Sequence, residues 1–277
     1  MMTDSQRLVL VGAGSFIARH VYDKAIAEGL AVIGVSHDAD LGAVILPDDI
    51  VVNFGVTPSY MTAAYTEEND FDLRVARCAH AAKARFVAIS TRKVYSAEHR
   101  WSATEPTGGT GDGSFYGANK AISERAIAEL IGPKLLILRL SNIFGFEFRY
   151  APQRCTFLSR MLSDLREKNS IFFDMAPQSQ RDFLPVERCA SMIIAAISRG
   201  LSGIYNVGCG FPIACGSVAQ WVMEGFGGGR LVVSNHEIRD EFFLDMTKWR
   251  ESGLPLNISP DELHSYCIAL GRILRLA

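Results

Sequence analysis

The stretch VLVGAGSFIARHV, residues 9–21, joins an apolar run to a helical pattern through Gly12 and Gly14. In a strand–turn–helix unit, such glycines let a diphosphate approach the free N–H groups at the start of the helix. The same glycines would also serve a tight turn that only needs a positive φ. The stretch therefore predicts the first unit of an α/β fold and leaves the purpose of its glycines open.

Apolar runs alternate with helical patterns through the first half of the chain. Strands are predicted at 7–12, 30–36, 50–55, 85–90 and 135–142. Because these runs are continuously apolar, each strand should be buried on both faces, as in a parallel sheet covered by two layers of helices. The first helix is predicted at 16–28, with Ile17, Val21 and Ile26 on its inner face and Gly29 after its end.

In the second half of the chain, the predicted helices and strands are less regularly spaced. Helices are predicted near 155–168, 187–198, 216–225 and 260–275, and strands at IFF and GIYNVG. We expect residues 1–150 to form a dinucleotide-binding Rossmann domain, with a strand and a helix added from about 180–208, and residues 151–277 to form mainly a substrate-binding region. The predicted fold class is thus α/β, a Rossmann-type doubly wound parallel sheet with a smaller C-terminal region packed where the strands end.

Composition argues against several classes of protein. The chain has 277 residues, 48% of them hydrophobic, so it can bury a sizeable core. Its 28 basic and 30 acidic residues nearly balance, which disfavours a nucleic-acid or membrane surface and favours a small-molecule partner. The six cysteines occur singly, and no apolar run has the length of a membrane span or the form of a signal peptide. We expect a cytoplasmic protein that uses no metal.

Tyr116 and Lys120 lie four residues apart in FYGANKAISE, a helical pattern that begins at Phe115. Residues four apart share a helix face, so the two side chains should be neighbours. A nearby ammonium favours the phenolate and brings a phenol, whose pKa is ordinarily about 10, into range for acid–base work at neutral pH. The alternative is a solvated pair, since this spacing arises often by chance.

Two hydroxyls, Ser90 and Thr91, come at the carboxyl end of the strand predicted at 85–90. A hydroxyl at this edge of the sheet could hold the carbonyl or alcohol oxygen of a substrate while the tyrosine moves the proton. The alternative is that both residues merely cap the end of the strand.

The end of the second strand bears on the choice of cofactor. NAD-binding folds of this type normally place an Asp or Glu there, which accepts hydrogen bonds from the ribose hydroxyls. This chain has Ser36 and His37, and Arg19 on the preceding helix adds a cation. These groups could bind a ribose phosphate, which a carboxylate would repel. We therefore expect NADP, with NAD as the alternative.

The motifs together resemble the extended short-chain dehydrogenase/reductases, in particular the NAD(P)-dependent epimerase/dehydratase group that acts on nucleotide sugars. The resemblance runs from residue 8 to about 208, in the order of the family, with a weaker echo at FFLDMTKWRESGLP. It rests on VGAGSFIARH, NFG, AISTRKVY, YGANKAISE, LRLSNIFG, QRDFLPVERCA and GIYNVGCG. An ordered set of this kind is far more specific than any one of its motifs.

The resemblance implies catalytic roles for the matching positions. Tyr116 would be the acid/base, and Lys120 would lower its pKa and hold the nicotinamide ribose. Thr91 would orient the substrate, in preference to Ser90, which is counted with the cofactor site.

The resemblance also implies binding residues. The diphosphate turn would consist of Gly12, Gly14, Ser15, Phe16 and Ile17, and Asn53, Phe54 and Gly55 would lie beside the cofactor. Asn142 and Arg181 would face the nucleotide sugar. Arg181 is the better inference of the two, because its guanidinium suits the diphosphate of the substrate.

The sequence departs from the family pattern at three places, one of which is a shortened third strand and helix that lack the acid often in contact with adenine. The family's GxxGxxG reads here as Gly12, Ser15 and Ala18, and both replacements are small, so the turn is still expected to hold a cofactor. Dehydratases of the group carry Asp and Glu directly after the catalytic threonine, whereas this chain has Arg92 and Lys93. These cations cannot do the work of the two acids in eliminating water, so sugar dehydration is disfavoured.

We predict an NAD(P)-dependent oxidoreductase or epimerase of a nucleotide-linked sugar and favour reduction of a 4-keto sugar. The alternative is an epimerase that oxidises the sugar transiently. Two further alternatives are a ketone reductase outside sugar metabolism and a non-catalytic NAD(P)-binding sensor. Arg181 argues against the first of these, and the joint presence of Tyr116, Lys120 and Thr91 argues against the second.

Relatives of this family commonly form dimers through two helices, which would lie near 68–83 and 116–131 in this chain. Each has an apolar stripe: Phe71, Val75, Cys78 and Ala79 on the first, and Ile122, Ala126 and Leu130 on the second. The alternative is that both stripes face the sheet. A homodimer is the expectation that the resemblance supplies.

Overall fold

The computed structural model of the chain describes residues 6–146, 156–255 and 258–276. Cys155 and the predicted start of the helix at 155–168 lie outside these ranges. The strands are β1 (Leu8–Val11), β2 (Val32–Val35), β3 (Ile50–Asn53), β4 (Arg85–Thr91), β5 (Leu136–Leu140), β6 (Asn142–Phe144), β7 (Ser170–Phe173), β8 (Gln180–Arg181), β9 (Phe183–Pro185), β10 (Gly203–Val207), β11 (Ile213–Ala214) and β12 (Arg230–Val233). The α-helices are α1 (Phe16–Ala27), α2 (Leu41–Val44), α3 (Pro58–Thr62), α4 (Phe71–Ala81), α5 (Phe115–Ile131), α6 (Phe157–Lys168), α7 (Val186–Arg199), α8 (Cys215–Phe226), α9 (Thr247–Glu251) and α10 (Pro260–Leu276).

Six parallel strands form the central sheet in the order β10-β5-β4-β3-β1-β2. Alternate residues of β1 enter two different cores. Leu8 and Leu10 pack in the core that includes α1 and α7, and Val9 and Val11 pack in the core that includes α4. Both faces of the sheet are therefore covered by helices, and the predicted Rossmann-type doubly wound fold is confirmed.

The order of the strands reverses between β1 and β3. β1 and β2 are neighbours, and the chain then returns to the other side of β1 to form β3. The connection between β2 and β3 is short and contains only the single turn α2 within the described residues. Open sheets of this kind bind ligands outside the carboxyl ends of the strands, at the point where the strand order reverses.

The predicted strands agree with the observed ones except at their ends. The run 135–142 splits, because β5 ends at Leu140 and Asn142 begins β6, which pairs with β9. The inner face predicted for the first helix was wrong at Ile26, which is 55% exposed. Five residues advance a helix by about 500°, so Ile26 lies roughly 140° around the helix from Val21. The buried face consists of Ala18, Val21 and Ala25.

The second half adds one strand to the central sheet and forms small sheets of its own. β10 pairs with β5, and α7 packs with α1. The remaining strands form the pairs β6–β9, β7–β12 and β8–β11. α8 and α10 cross at close range, since neither Gly225 nor Gly271 has room for a Cβ against the backbone of the other helix.

The apolar stripe of α4 serves the core of this chain. Phe71, Val75 and Ala79 are buried against the sheet, and Cys78 is half-buried. The alternative that the stripe faces the sheet therefore holds for α4. On α5, the residues Ile122, Ala126 and Leu130 are half-buried, and Ala126 and Leu130 pack against the same core as the stripe of α4.

Candidate active site

The glycine turn closes against two neighbouring strands. The φ of Gly12 is +74°, and a Cβ added there would lie 2.8 Å from the backbone nitrogen of Gly55. The N–H of Gly12 donates to the carbonyl of Val35 at 2.8 Å. A Cβ added at Gly14, by contrast, would meet nothing within 4 Å. The backbone itself thus requires Gly12, whereas Gly14 borders open space.

The start of α1 offers free hydrogen-bond donors next to this space. Ser15 caps the helix, and its Oγ accepts from the N–H of Ala18 at 3.3 Å. Phe16 and Ile17 form the first turn, where backbone N–H groups have no acceptor within the helix and the helix dipole is positive. An open space beside a helix start fits the diphosphate of a dinucleotide.

The end of β2 carries an acid, Asp38, next to Ser36 and His37. Ser36 and His37 are exposed, Asp38 donates its N–H to the Oγ of Ser36 at 3.4 Å, and His37 lies 3.1 Å from the Asp38 carboxylate. Arg19 is half-buried on α1. A cavity of about 440 Å³ opens here, and its lining includes His37, Asp38, Asp40, Leu41, Arg74 and Cys78.

Lys120 is buried in the middle of the site, with 4% of its surface exposed. Its Nζ donates to Oδ2 of Asp72 at 2.5 Å and to the carbonyl of Ile89 at 2.9 Å. Burial alone would lower the pKa of the ammonium, but the charge of Asp72, with further contributions from Tyr116 and Asp70, raises that pKa above its usual value. Lys120 is therefore charged at neutral pH.

Asn53, at the end of β3, holds the other oxygen of the Asp72 carboxylate. Its Nδ2 donates to Oδ1 of Asp72 at 2.7 Å and to the carbonyl of Gly55 at 3.1 Å. Its Oδ1 accepts from the N–H of Gly55 at 2.9 Å. Phe54 donates its N–H to the carbonyl of Val11 at 2.9 Å. These bonds fix the segment 53–55 beside the glycine turn.

Tyr116 lies in the first turn of α5 and is half-buried. Its ring meets the ring of Tyr60 edge to face, with centroids 6.3 Å apart and planes at 74°. The Nζ of Lys120 lies 6.0 Å from the Tyr60 centroid. The Tyr60 hydroxyl is buried and has no hydrogen-bond partner within the part of the chain that the structure describes. The predicted pair, Tyr116 and Lys120, is thus brought together around a second tyrosine.

The two hydroxyls at the end of β4 have different surroundings. Ser90 is 4% exposed, and its Oγ donates to Glu124 at 2.5 Å, within the core. Thr91 is half-buried, and its Oγ1 accepts from the N–H of Lys93 at 3.3 Å. The carbonyl of Lys93 packs directly against Gly117, the residue after Tyr116 in α5. Thr91 therefore lies at the carboxyl end of β4, close to the first turn of α5, which carries Tyr116.

Three guanidinium groups surround one carboxylate, that of Asp240. Arg181 donates to its Oδ2 at 2.7 Å and to its carbonyl at 2.8 Å, and Arg100 donates to its Oδ1 at 2.7 Å. Arg92 lies 3.9 Å from Oδ2 and stacks on Phe242, 3.7 Å from the ring centroid. Burial lowers the pKa of Arg92 to about 10, although the charge of Asp240 opposes this shift. The group, here termed the arginine cluster (Arg92, Arg100, Arg181), carries excess positive charge.

The two predicted substrate residues lie on different strand pairs. Asn142 is half-buried at the start of β6, opposite Phe183 of β9. Arg181 is 7% exposed and belongs to β8, which pairs with β11.

Several residues of the site left no clear signal in the sequence. Asp72 lies in the first turn of a helix, where acids are common because they complement the helix dipole. Arg92 stands out in the sequence only because it follows Thr91, where dehydratases of the family carry an acid. Arg100 and Asp240 are separated by 140 residues, so no local pattern reports their contact.

Two further features concern metal-binding groups and membrane-spanning helices. Within residues 6–146, 156–255 and 258–276, no group of His, Cys, Asp and Glu side chains could hold a metal ion. The same ranges contain no helix that is both long and apolar enough to span a membrane.

Solved structures of nucleotide-sugar enzymes share this fold. UDP-N-acetylglucosamine 4-epimerase from Bacillus cereus is similar, with a TM-score of 0.80 and 18% identity over 98% of this chain and 97% of that one. UDP-glucose 4-epimerase from Thermus thermophilus, in complex with NAD, has a TM-score of 0.75 and 19% identity over 96% and 99%. The NAD-dependent NDP-hexosamine 5,6-dehydratase TunA, of tunicamycin biosynthesis, has a TM-score of 0.76 and 16% identity over 96% and 98%.

Sequence comparison identifies the family. Among curated proteins, none matches the chain. The model of the NAD dependent epimerase/dehydratase family matches residues 8–208, which is more than half of the chain, and this confirms the resemblance seen in the motifs. The chain therefore belongs to the NAD-dependent epimerase/dehydratase family of enzymes.

Proposed function

We propose that the protein reduces the keto group of a nucleotide-linked 4-keto sugar, with Tyr116 as the acid. The observation that carries the proposal is the charged Lys120, buried one turn after Tyr116 and held at the carboxyl edge of β4. An ammonium in this position favours the phenolate that remains after proton transfer.

The proton is handled by residues of this chain. A reduced nicotinamide, when bound, supplies the hydride that forms the new C–H bond at the keto carbon. Tyr116 donates its phenolic proton to the keto oxygen, which becomes a hydroxyl, and Thr91 donates a hydrogen bond to the same oxygen and orients it. Lys120 stabilises the resulting phenolate until a proton from water restores the phenol.

The cofactor fits the glycine turn. Gly14 borders open space, Ser15 and the free N–H groups of Phe16 and Ile17 follow, and these would hold the diphosphate. The sequence favoured NADP because of Ser36 and His37. Asp38 lies beside them, and a carboxylate there opposes a ribose phosphate. We infer NAD as the preferred cofactor, with NADP as the alternative.

The arginine cluster supports an anionic substrate. Arg181 was expected to face a nucleotide sugar, and Arg92 and Arg100 add two more guanidinium groups around the single carboxylate of Asp240. Paired guanidinium groups suit the diphosphate of a nucleotide sugar. Arg92 follows Thr91 directly. The arginine cluster would therefore bind the diphosphate of a substrate whose keto group lies beside Thr91.

An epimerase is the second candidate. Similar structures include 4-epimerases of UDP-sugars, and the same residues would serve if Tyr116 first removed a hydroxyl proton and later returned one. Dehydration stays disfavoured, because Arg92 and Lys93, and not two acids, follow Thr91. Lys93 pairs with Asp112 at 3.2 Å, and Arg92 lies 3.9 Å from Asp240.

A homodimer remains a proposal and rests mainly on the half-buried Ile122 of α5, since Ala126 and Leu130 pack in part against the core of this chain. The division into a cofactor region before residue 150 and a substrate region after it is likewise proposed. Sedimentation velocity tests the first point, and a single species at the mass of one chain would contradict it.

The test is the absorbance of NADH and NADPH during incubation with a panel of nucleotide-linked 4-keto sugars. We expect stoichiometric oxidation of one cofactor, and a loss of about 10²- to 10⁴-fold in Tyr116→Phe with cofactor binding retained. Equal rates in Tyr116→Phe would contradict the proposed acid. Saturable cofactor binding without oxidation, together with conversion of a nucleotide sugar into its epimer, would favour the second candidate.

A further inference from the structure

Two buried carboxylates lie at the start of α4, and they have different partners. Asp70 accepts from the N–H of Leu73 at 2.9 Å, from Ser123 at 3.0 Å and from Tyr65 at 3.0 Å. Asp72 accepts instead from Lys120 and Asn53. Asp70 thus caps a helix and ties it to α5, whereas Asp72 is aimed at the catalytic lysine.

The charged and titratable groups around Lys120 come from three helices. α3 presents the ring of Tyr60, and α4 presents Asp70 and Asp72. Helix α5, to which Lys120 belongs, carries Tyr116 one turn before the lysine and Glu124 one turn after it. Glu124 is held by Arg139, with 2.6 Å between Oε2 and Nη2.

Among the described residues, the central sheet places no carboxylate in contact with Lys120. β4 supplies only the carbonyl of Ile89, and the polar group at the end of β3 is the neutral amide of Asn53. Within the described residues, Asp72 is therefore the carboxylate in direct contact with the ammonium.

We propose that Asp72 is a positioning residue: it keeps Lys120 charged and holds its ammonium at one point between α5 and β4, and so sets the pH range in which Tyr116 can donate a proton. The part that concerns Tyr116 rests on the proposed function. The part that concerns the charge of Lys120 does not.

The physical reason is the cost of burying an ammonium. A lysine that loses its water without gaining a counter-charge can lose its proton at neutral pH, since buried lysines reach pKa values of about 5–6. Asp72 supplies the counter-charge, and Asn53 fixes the carboxylate by binding its second oxygen. Lys120 is 4% exposed, so water cannot replace either contact.

Asp72→Asn removes the charge at nearly constant shape. The new amide has one oxygen and one NH₂, whereas both neighbours, Nζ of Lys120 and Nδ2 of Asn53, are donors. One hydrogen bond is lost together with the charge. We expect Lys120 in this variant to lose its proton about two pH units below the ordinary lysine value.

The experiment follows Lys120 directly in the protein without added cofactor. Lysine is labelled with ¹³C at Cε, the Lys120 signal is assigned by its loss in Lys120→Arg, and its chemical shift is followed from pH 6 to 11. The matched control is Asp70→Asn, which removes the same charge from the same turn but touches no lysine, and Asn is also a good N-cap. We expect a large downward shift in Asp72→Asn and a much smaller one in Asp70→Asn.

Equal titration of Lys120 in the wild type and Asp72→Asn would overturn the proposal. Equal shifts in both variants would also overturn it, because net charge alone would then suffice. If Asp72→Asn does not fold, Asp72→Ser takes its place, since its hydroxyl can still accept from Asn53.

The pH profile of kcat for sugar reduction tests the link to Tyr116. In Asp72→Asn the alkaline limb should move to lower pH, with little change in Asp70→Asn. An unmoved profile, despite a shifted Lys120 titration, would overturn the link. A shifted Lys120 titration in a protein that reduces no keto sugar would contradict the proposed function and leave the assignment of Asp72 to Lys120 intact.

Discussion

Lys120 and Glu124 lie one turn apart on α5, and both side chains reach the end of β4. The ammonium donates to the carbonyl of Ile89 at 2.9 Å, and the carboxylate accepts from Ser90 at 2.5 Å. Glu124 also receives hydrogen bonds from Arg139 at 2.6, 3.0 and 3.2 Å. Helix α5, which carries Tyr116, is therefore bound to β4 at two successive turns. Lys120 makes the contact in the candidate active site, and Glu124 makes the contact in the core.

Glu124→Gln should destabilise the fold strongly. Arg139 is 2% exposed, and removal of its partner would leave a buried charge uncompensated, which costs about 3–5 kcal/mol. The free energy of unfolding in urea measures the loss. Glu129→Gln, at an exposed position of the same helix, is the matched control and should change stability little. A loss of the same size in both variants would contradict the role given to the buried pair.

The fold could be predicted from the sequence because its signals are local. Each continuous apolar run became a strand, and the glycine turn and the helix after it lie where residues 9–21 placed them. The predicted pair Tyr116 and Lys120 is also local, since four residues in a helix fix a shared face.

The rest of the site depends on contacts between distant residues. Asp72 meets Lys120 across 48 positions, and Arg181 meets Asp240 across 59. Such contacts depend on how helices and loops pack against one another. They leave no periodic pattern in the sequence from which they could be predicted. The role of Ser90 depends on such a contact as well. In the sequence Ser90 and Thr91 are two adjacent hydroxyl residues, but in the structure the hydroxyl of Ser90 donates to Glu124.

Asp112 should stabilise the start of α5 in a pH-dependent way. It accepts from the hydroxyl of Ser114 at 2.5 Å and from its N–H at 3.1 Å, and Ser114 caps the helix. Burial would raise the pKa of the carboxyl, but these hydrogen bonds and the charge of Lys93 lower it below the usual 3.8. Because the folded pKa is the lower one, the stabilisation is present above the unfolded pKa and is lost as the pH falls through the folded one.

We therefore expect Asp112→Ala to cost about 1 kcal/mol at pH 7. The cost should shrink below about pH 4, the range in which the unfolded carboxyl takes up its proton. Urea denaturation of both proteins at pH 7 and pH 3 measures the difference. A constant difference at the two pH values would show that the carboxylate charge contributes nothing.

Arg92→Met should weaken the binding of a nucleoside diphosphate. Arg92 lies farther from Asp240 than its two neighbours do, so it is the member of the arginine cluster that this carboxylate neutralises least. A charge-assisted hydrogen bond is worth about 1.5–3 kcal/mol, so the Kd for UDP should rise roughly 10- to 150-fold. Calorimetric titration measures it, with Arg199→Met at an exposed helix end as the control. An unchanged Kd for UDP would remove Arg92 from the substrate site.

Gly12→Ala and Gly14→Ala should separate the two roles of the glycine turn. At Gly12 the φ is +74° and a Cβ would lie 2.8 Å from the nitrogen of Gly55, so alanine should lower the melting temperature and weaken cofactor binding together.

At Gly14 a Cβ would touch nothing within 4 Å, so the protein alone gives no reason for a stability loss. If a diphosphate lies in that space, Gly14→Ala should keep the melting temperature of the wild type and still bind NAD more weakly, as fluorescence titration would record. Unchanged NAD affinity in this variant would mean that Gly14 does not border the diphosphate, and that the turn serves only the backbone.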